Sequence, residues 1–305
     1  MTIEQRIRNL QVPAGPIDVV LDTDAYNEID DQFAIAYLLR SGDRLNTKAI
    51  YAAPFFNAHS TGPEDGMLRS YDEIIKLLKL AGEDARIKDV YRGSVRYLPD
   101  EKTPVDSEAA RDLCNRAKDY SPEKPLYVVA IGAITNIASA LLMKPEIAER
   151  IVVVWLGGTG LEIGHSREFN MRQDVAAARV VMSSGAPFVQ LPCAGVVSAF
   201  TISKPELLYW LADKNPLADY LARNTIREAD EYAAGKPWTR VIWDVTAVAW
   251  LLNDGGRFMS TRLIPTPMPE YDDRYGANPD GDLMCYVYSI HRDALMEDLI
   301  NKLTK

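Results

Sequence analysis

Five carboxylates fall within ten residues of this 305-residue chain, at Asp22, Asp24, Glu28, Asp30 and Asp31. Next to the apolar run at 17–21 they would repel one another unless something neutralised them. A hard divalent cation does this most directly, and calcium takes about six to eight oxygen ligands. A carboxylate in contact with such a cation is also well placed to accept a proton from a water it holds. The plain alternative is that Asp30 and Asp31 only favour a helix N-terminus, where the dipole stabilises an acid by about 0.3–1 kcal/mol. That explains those two and leaves Asp22 and Asp24, at the end of the preceding run, without a reason.

The elements that must position these acids are legible as alternating patterns. Short apolar runs at 17–22, 47–53, 126–131, 151–156 and 188–191 read as buried strands. Helical patterns follow them at 31–40, 66–80, 135–143 and 175–183. Strands this apolar, separated by helices, predict an α/β fold: an open, mostly parallel, doubly wound (Rossmann-like) sheet with helices on both faces. Further on, 205–212, 217–233 and 244–252 read as helices, 283–290 as a late strand and 292–303 as a closing amphipathic helix. The stretches 93–106 and 266–282, rich in Pro or Gly, read as long loops. No linker or repeat divides the chain, so a single domain over 1–305 is expected. In an open parallel sheet ligands bind beyond the carboxyl ends of the strands. The acidic segment lies at such an end.

Composition narrows the ligand. A net charge of −9 argues against a nucleic-acid or anionic-membrane partner, since both need basic surface. A neutral small molecule meets no such barrier. Cys114, Cys193 and Cys285 form no CxxC pair, which fits a reducing cytoplasm rather than a disulfide framework or zinc site. The first residues lack the apolar core of a signal peptide, and no stretch has the length of a membrane span.

The segment from Leu21 to Asp31 resembles the signature of the inosine–uridine-preferring nucleoside hydrolase family, in which a strand ends in Asp-x-Asp and a helix soon begins with Asp-Asp. This sequence carries two extra residues in the turn from Ala25 to Ile29. Other segments resemble the family in the same order: Phe55-Phe56-Asn57, then Ala130 to Asn136, then Glu168-Phe169-Asn170, then Asp244. Together they cover roughly four-fifths of the chain. Singly, each has a bland reading, such as a turn cap for Asn57 or a helix-start acid for Asp244. The ordered set is what carries the resemblance.

The resemblance implies a calcium-dependent enzyme that hydrolyses the N-glycosidic bond of ribonucleosides. Calcium would be held by Asp24, Asp31, Asp244 and the main-chain carbonyl of Ile131, with Asp24 as base for the water and Asp22 in support. Asp30, Asn57, Glu168 and Asn170 would hold the ribose, and Glu162 would face the sugar 5′-hydroxyl. Such enzymes are commonly homodimers or homotetramers of nucleoside salvage. The sequence departs from the commonest pattern at one position. Many members have a histidine before the last metal-ligating aspartate, but this chain has Trp243-Asp244. An imidazole at 243 is therefore excluded as the acid that protonates the departing base. Trp243 is similar instead to indoles of the purine-preferring branch that stack on the nucleobase, a kind of contact worth about 1–3 kcal/mol per base where proteins bind single-stranded nucleic acids. The plain alternative is a core aromatic. His165 is a candidate replacement acid.

Two other readings use the same residues. Haloacid-dehalogenase-like phosphatases also begin with a strand ending in Asp-x-Asp, where Asp22 would be nucleophile and Asp24 the acid/base, with magnesium. Ala25-Tyr26 fits that pattern poorly, and Glu168-Phe169-Asn170 would be left unexplained. A non-catalytic nucleoside- or ribose-binding protein could use the same pocket, and the missing histidine keeps that reading open.

Overall fold

The computed structural model describes residues 1–278 and 281–305. Strands β1 (Ile17–Thr23), β2 (Leu45–Ala52), β3 (Val90–Arg92), β4 (Leu126–Ala130), β5 (Ile151–Leu156) and β6 (Phe188–Leu191) run parallel. A short antiparallel pair, β7 (Thr201–Ser203) and β8 (Thr239–Val241), stands outside the main sheet. Strand β9 (Met259–Pro265) follows, then a small ribbon of β10 (Met268–Pro269) and β11 (Tyr275–Gly276), and finally β12 (Leu283–Ile290). The main sheet has eight strands in the order β3-β2-β1-β4-β5-β6-β12-β9, and only the β12–β9 pair is antiparallel. This is the open, mostly parallel doubly wound sheet that the sequence predicts.

Alternation along each strand explains why both faces are covered. Val19 and Leu21 of β1, Val129 of β4 and Val152 of β5 enter one apolar core. Val20, Val128 and Val153, one residue out of step, enter the other on the opposite face. Every residue of β4 and β5 is buried, so neither face can be polar.

Strand β1 lies between β2 and β4, so the winding of the chain reverses direction there. Pairing continues past the strand ends: the Ala53 amide donates to the Thr23 carbonyl and the Ile131 amide to that of Asp22, each at 2.8 Å. The loops after β1, β2 and β4 are thereby held side by side at the switch point, where ligands bind in this architecture.

Several elements differ from the sequence expectation. Strand β9 lacks a two-residue hydrophobic alternation because its middle residues are exposed at the sheet edge. The short strand β3 and the helix Glu108–Arg116 flank the loop at 93–106 and are additional to the expected elements. The loop at 266–282 contains the β10–β11 ribbon, and its residues 279 and 280 lie outside the described residues. The helix expected at 205–212 is a single α turn, Lys204–Glu206, that widens into a π turn at Leu207–Leu211.

Candidate active site

Strand β1 delivers Asp22 and Thr23 as its last residues, and Asp24 follows directly. The chain then turns and enters the helix Asp30–Leu39, whose first two residues are Asp30 and Asp31. Across the site, Asp244 directly precedes the helix Val245–Trp250, with no side-chain capping bond to it. All five aspartates are buried. One oxygen from each of Asp30, Asp31 and Asp244 lies within 4.8 Å of the others, the spacing of a group that could hold a metal ion.

Asp24 stands outside that triplet but faces it. Both its carboxylate oxygens are buried without a hydrogen-bond partner among the described residues. Gly132, after β4, comes so close that a Cβ there would lie 2.8 Å from Asp24 Oδ1, which explains a glycine at that turn. Desolvation, then the charges of Asp31 and Asp30, push the Asp24 carboxyl well above the usual range. Asp30 and Asp244 are raised likewise, chiefly by burial and then by neighbouring carboxylates. Burial raises Asp31 to about 7, although the Thr23 hydroxyl donates to it at 2.5 Å. Burial also lifts Asp22 to about 7, against the opposing bond from Asn136. Such clustered acids, with no fully buried Lys, Arg or His among the described residues and only the partly buried Arg240 opposing them at Asp30, are the pattern that a cation resolves.

Asp22 points to a different neighbour. Asn136 Nδ2 donates to its Oδ1 at 2.7 Å, while Asn136 Oδ1 accepts from the amide and hydroxyl of Ser94 at 2.7 and 2.8 Å. Asp22 is thus anchored in the frame behind the site.

A cavity of about 340 Å³ opens in front of the cluster, within the range of small-molecule sites. Asp30, Asn57, Ile131, Glu168, Asn170, Trp243 and Asp244 line it, so the structure brings together seven of the residues singled out from sequence. Asn170 Nδ2 donates to the carbonyls of Ile131 and Leu156 at 3.1 and 3.0 Å. Glu168 caps the helix Phe169–Gln173, accepting from the amides of Gly158, Asn170 and Met171. Asn57 Nδ2 donates to Asn27 Oδ1 at 2.6 Å.

A model of the family described as inosine-uridine preferring nucleoside hydrolase matches residues 19–274. The chain belongs to this family. Among similar proteins, the inosine-uridine preferring nucleoside hydrolase of Leishmania major is 34% identical over 94 residues, 30% of each chain. The pyrimidine-specific ribonucleoside hydrolase RihA of Salmonella arizonae is 27% identical over 258 residues, 77% of this chain and 79% of that one. Several of the matches are local, with aligned segments spanning 22% to 42% of the relatives' lengths. A solved plant nucleoside hydrolase superposes with a TM-score of 0.74 over 95% of this chain and 99% of its own, at 16% identity. That likeness bears on the fold.

Within the nucleoside hydrolase framework, two expectations do not hold geometrically. Glu162 is turned away from the cavity: its carboxylate, 70% exposed, takes Arg262 at 3.2 Å and the Tyr286 hydroxyl at 3.4 Å. The short 3-10 turn Leu161–Ile163 directs it outward. His165 is not a lining residue either; its Nδ1 accepts the Arg167 amide at 3.2 Å within its own loop. Conversely, Asn27, Glu28, Leu156, Phe169, Cys193 and Ala194 line the cavity without any binding or catalytic role expected of them from sequence. The two extra residues in the turn were a signal for Asn27 and Glu28. Cys193 and Ala194 follow β6, a strand end whose loop carries no charged residue to mark it.

Proposed function

We propose that this chain hydrolyses the N-glycosidic bond of ribonucleosides to ribose and free nucleobase, with calcium as its metal. One observation carries the reading. Asp24 is buried at the switch point of the sheet with both oxygens unpartnered among the described residues, against three more carboxylates and beside a nucleoside-sized cavity. A protein that merely needed helix-start acids would gain nothing from this arrangement, because desolvating uncompensated carboxylates is destabilising.

The donor set fits calcium. Asp24, Asp31, Asp244 and the carbonyl of Ile131 would hold it, and all are hard oxygen ligands. Asp30 lies close enough to the last two acids to contribute as well. When bound, the cation supplies charge compensation and lowers the pKa of a water in its shell. Asp24 accepts the proton of the attacking water, as a general base within reach of it. Asp30, Asn57, Glu168 and Asn170 orient the ribose hydroxyls; the Oδ1 of Asn170 accepts no bond from the described residues and is available for this. Trp243, half-buried on the cavity wall, stacks on the nucleobase and favours purines. Asp22 supports the strand end through Asn136. Glu162, facing outward, has no part in this reading.

We further place the chain in the cytoplasm, as one nucleoside-hydrolase domain over 1–305 that assembles as a homodimer or homotetramer and serves nucleoside salvage. Among the described residues no helix is long and apolar enough to cross a membrane, and all three cysteines are free.

The test is a panel of ribonucleosides incubated with the protein, with calcium and with a chelator, and assayed for free ribose. Ribose release that needs calcium supports the reading. No ribose from any of them overturns it, and nucleoside binding without release would then favour the non-catalytic alternative. The phosphatase alternative loses its basis with the family assignment.

A further inference from the structure

We infer that Glu28 is a specificity-determining residue that reads the outer edge of the nucleobase, favouring guanine, which presents two adjacent N–H donors there. This rests on the nucleoside-hydrolase reading of the cavity and concerns a residue outside the acidic cluster. Glu28 belongs to the turn lengthened by two residues, and that turn is fixed from several sides. The Asn27 amide donates to the Asp24 carbonyl at 2.7 Å, Asn57 donates to the Asn27 side chain at 2.6 Å, and His59 Nδ1 meets the Asn27 carbonyl at 2.9 Å. Arg240 Nη2 donates to Glu28 Oε2 at 3.1 Å while its Nη1 donates to the Tyr232 hydroxyl at 2.8 Å. Arg240 sits on β8, three residues before Trp243. The ion pair therefore ties the turn to the strand that delivers the proposed stacking indole.

One oxygen of Glu28 is held and the other is free. Oε1 has no hydrogen-bond partner among the described residues, and Glu28 lines the cavity. Depth assigns what it meets. Asp24, Asp30 and Asp244 are almost fully buried at the inner end, whereas the Glu28 side chain is 45% exposed at the outer end. A nucleoside with its ribose among the inner groups points the edge of its base farthest from the sugar outward. On guanine that edge carries two adjacent donors, N1–H and the 2-amino group; on hypoxanthine it carries N1–H beside the O6 carbonyl, and on adenine the 6-amino group beside an unprotonated N1. A carboxylate accepts hydrogen bonds and donates none, so it pairs best with the two adjacent donors of guanine and less well with hypoxanthine or adenine, where one donor stands beside a lone pair. A site built to pair with a polar group discriminates strongly against the analogue that lacks it.

The experiment compares the calcium-loaded full chain with Glu28→Gln, an isosteric change at a half-exposed position. The quantity measured is kcat/KM for guanosine, adenosine and 4-nitrophenyl riboside, which presents no N–H edge. In the wild type guanosine exceeds adenosine, and in Glu28→Gln that ratio falls about tenfold, a modest value for a hydrogen bond to a charged group because Glu28 is partly solvated. A ratio unchanged by the substitution overturns the inference while leaving the hydrolase reading intact, as does a loss shared equally by 4-nitrophenyl riboside. Failure of the wild type to release ribose from any of the three overturns the reading and the inference together.

Discussion

The side-chain amide of Asn170 donates to the main-chain carbonyl of Ile131 at 3.1 Å, joining two loop ends that are 39 residues apart in the chain. The same nitrogen reaches the Leu156 carbonyl, so one side chain spans the ends of β4 and β5. In the proposed site Ile131 offers that carbonyl to calcium, and Asn170 sets its direction. Groups that orient metal ligands typically alter affinity about 10- to 100-fold when removed.

Asn170→Ala is therefore expected to weaken calcium binding by about tenfold and to raise KM for nucleosides. Isothermal titration of calcium into the apoprotein checks the first effect. An unchanged Kd would separate Asn170 from the cation and leave it to the sugar alone.

Stability should depend on pH in a direction set by the acids. Asp22 and Asp31 have carboxyl pKa values near 7 when buried, against an ordinary value of 3.8. The folded state thus binds protons more tightly than the unfolded one. The associated stability is full below about pH 4 and is lost as pH rises through about 7. In chelator, the Tm is expected to fall by several degrees between pH 5 and pH 8, and calcium to restore it at pH 8 far more than at pH 5. A calcium response equal at both pH values would mean that the cation does not compensate these carboxylates.

Trp243→Ala is expected to lower turnover of purine nucleosides about five- to a hundredfold, the equivalent of about 1–3 kcal/mol of stacking. Substrates with an activated leaving group should lose much less. Equal losses on both would return Trp243 to a packing role.

Most of the framework was readable because it rests on patterns that tertiary context does not override. Fully apolar runs such as Leu126–Ala130 leave no polar face, so a sheet covered on both sides was the only way to bury them. The acids were readable because Asp22 and Asp24 had no bland explanation. Strand β9 was not, since an edge strand with an exposed middle loses its alternation. Glu162 was misplaced because a loop of glycines, Gly157 to Gly164, gives no indication of which way a side chain faces. Cys193 and Ala194 enter the cavity only through packing of the β6 end against distant strand ends, which one sequence cannot express.

Asn136 gives a purely structural check. It is fully buried, donates to Asp22 and accepts from Ser94, so Asn136→Ala leaves both without that partner. A loss of about 1–3 kcal/mol in unfolding free energy is expected, measured by denaturant titration at pH 7 with calcium present. A change near zero would show that Asp22 is held by something else.

The central claim is that Asp24 serves a hydrolytic reaction at the acidic cluster. Its most direct test is ribose release from a cleaved nucleoside by the calcium-loaded wild type beside Asp24→Asn, with folding of the variant verified by its Tm. The account predicts ribose and free base in equal amounts from the wild type, lost in chelator. It also predicts a rate lower by about 10²- to 10⁴-fold in the variant, whose Tm should match or exceed that of the wild type without calcium because one buried, uncompensated carboxylate is gone. Wild-type rates from a folded Asp24→Asn, or ribose release indifferent to calcium, would contradict it.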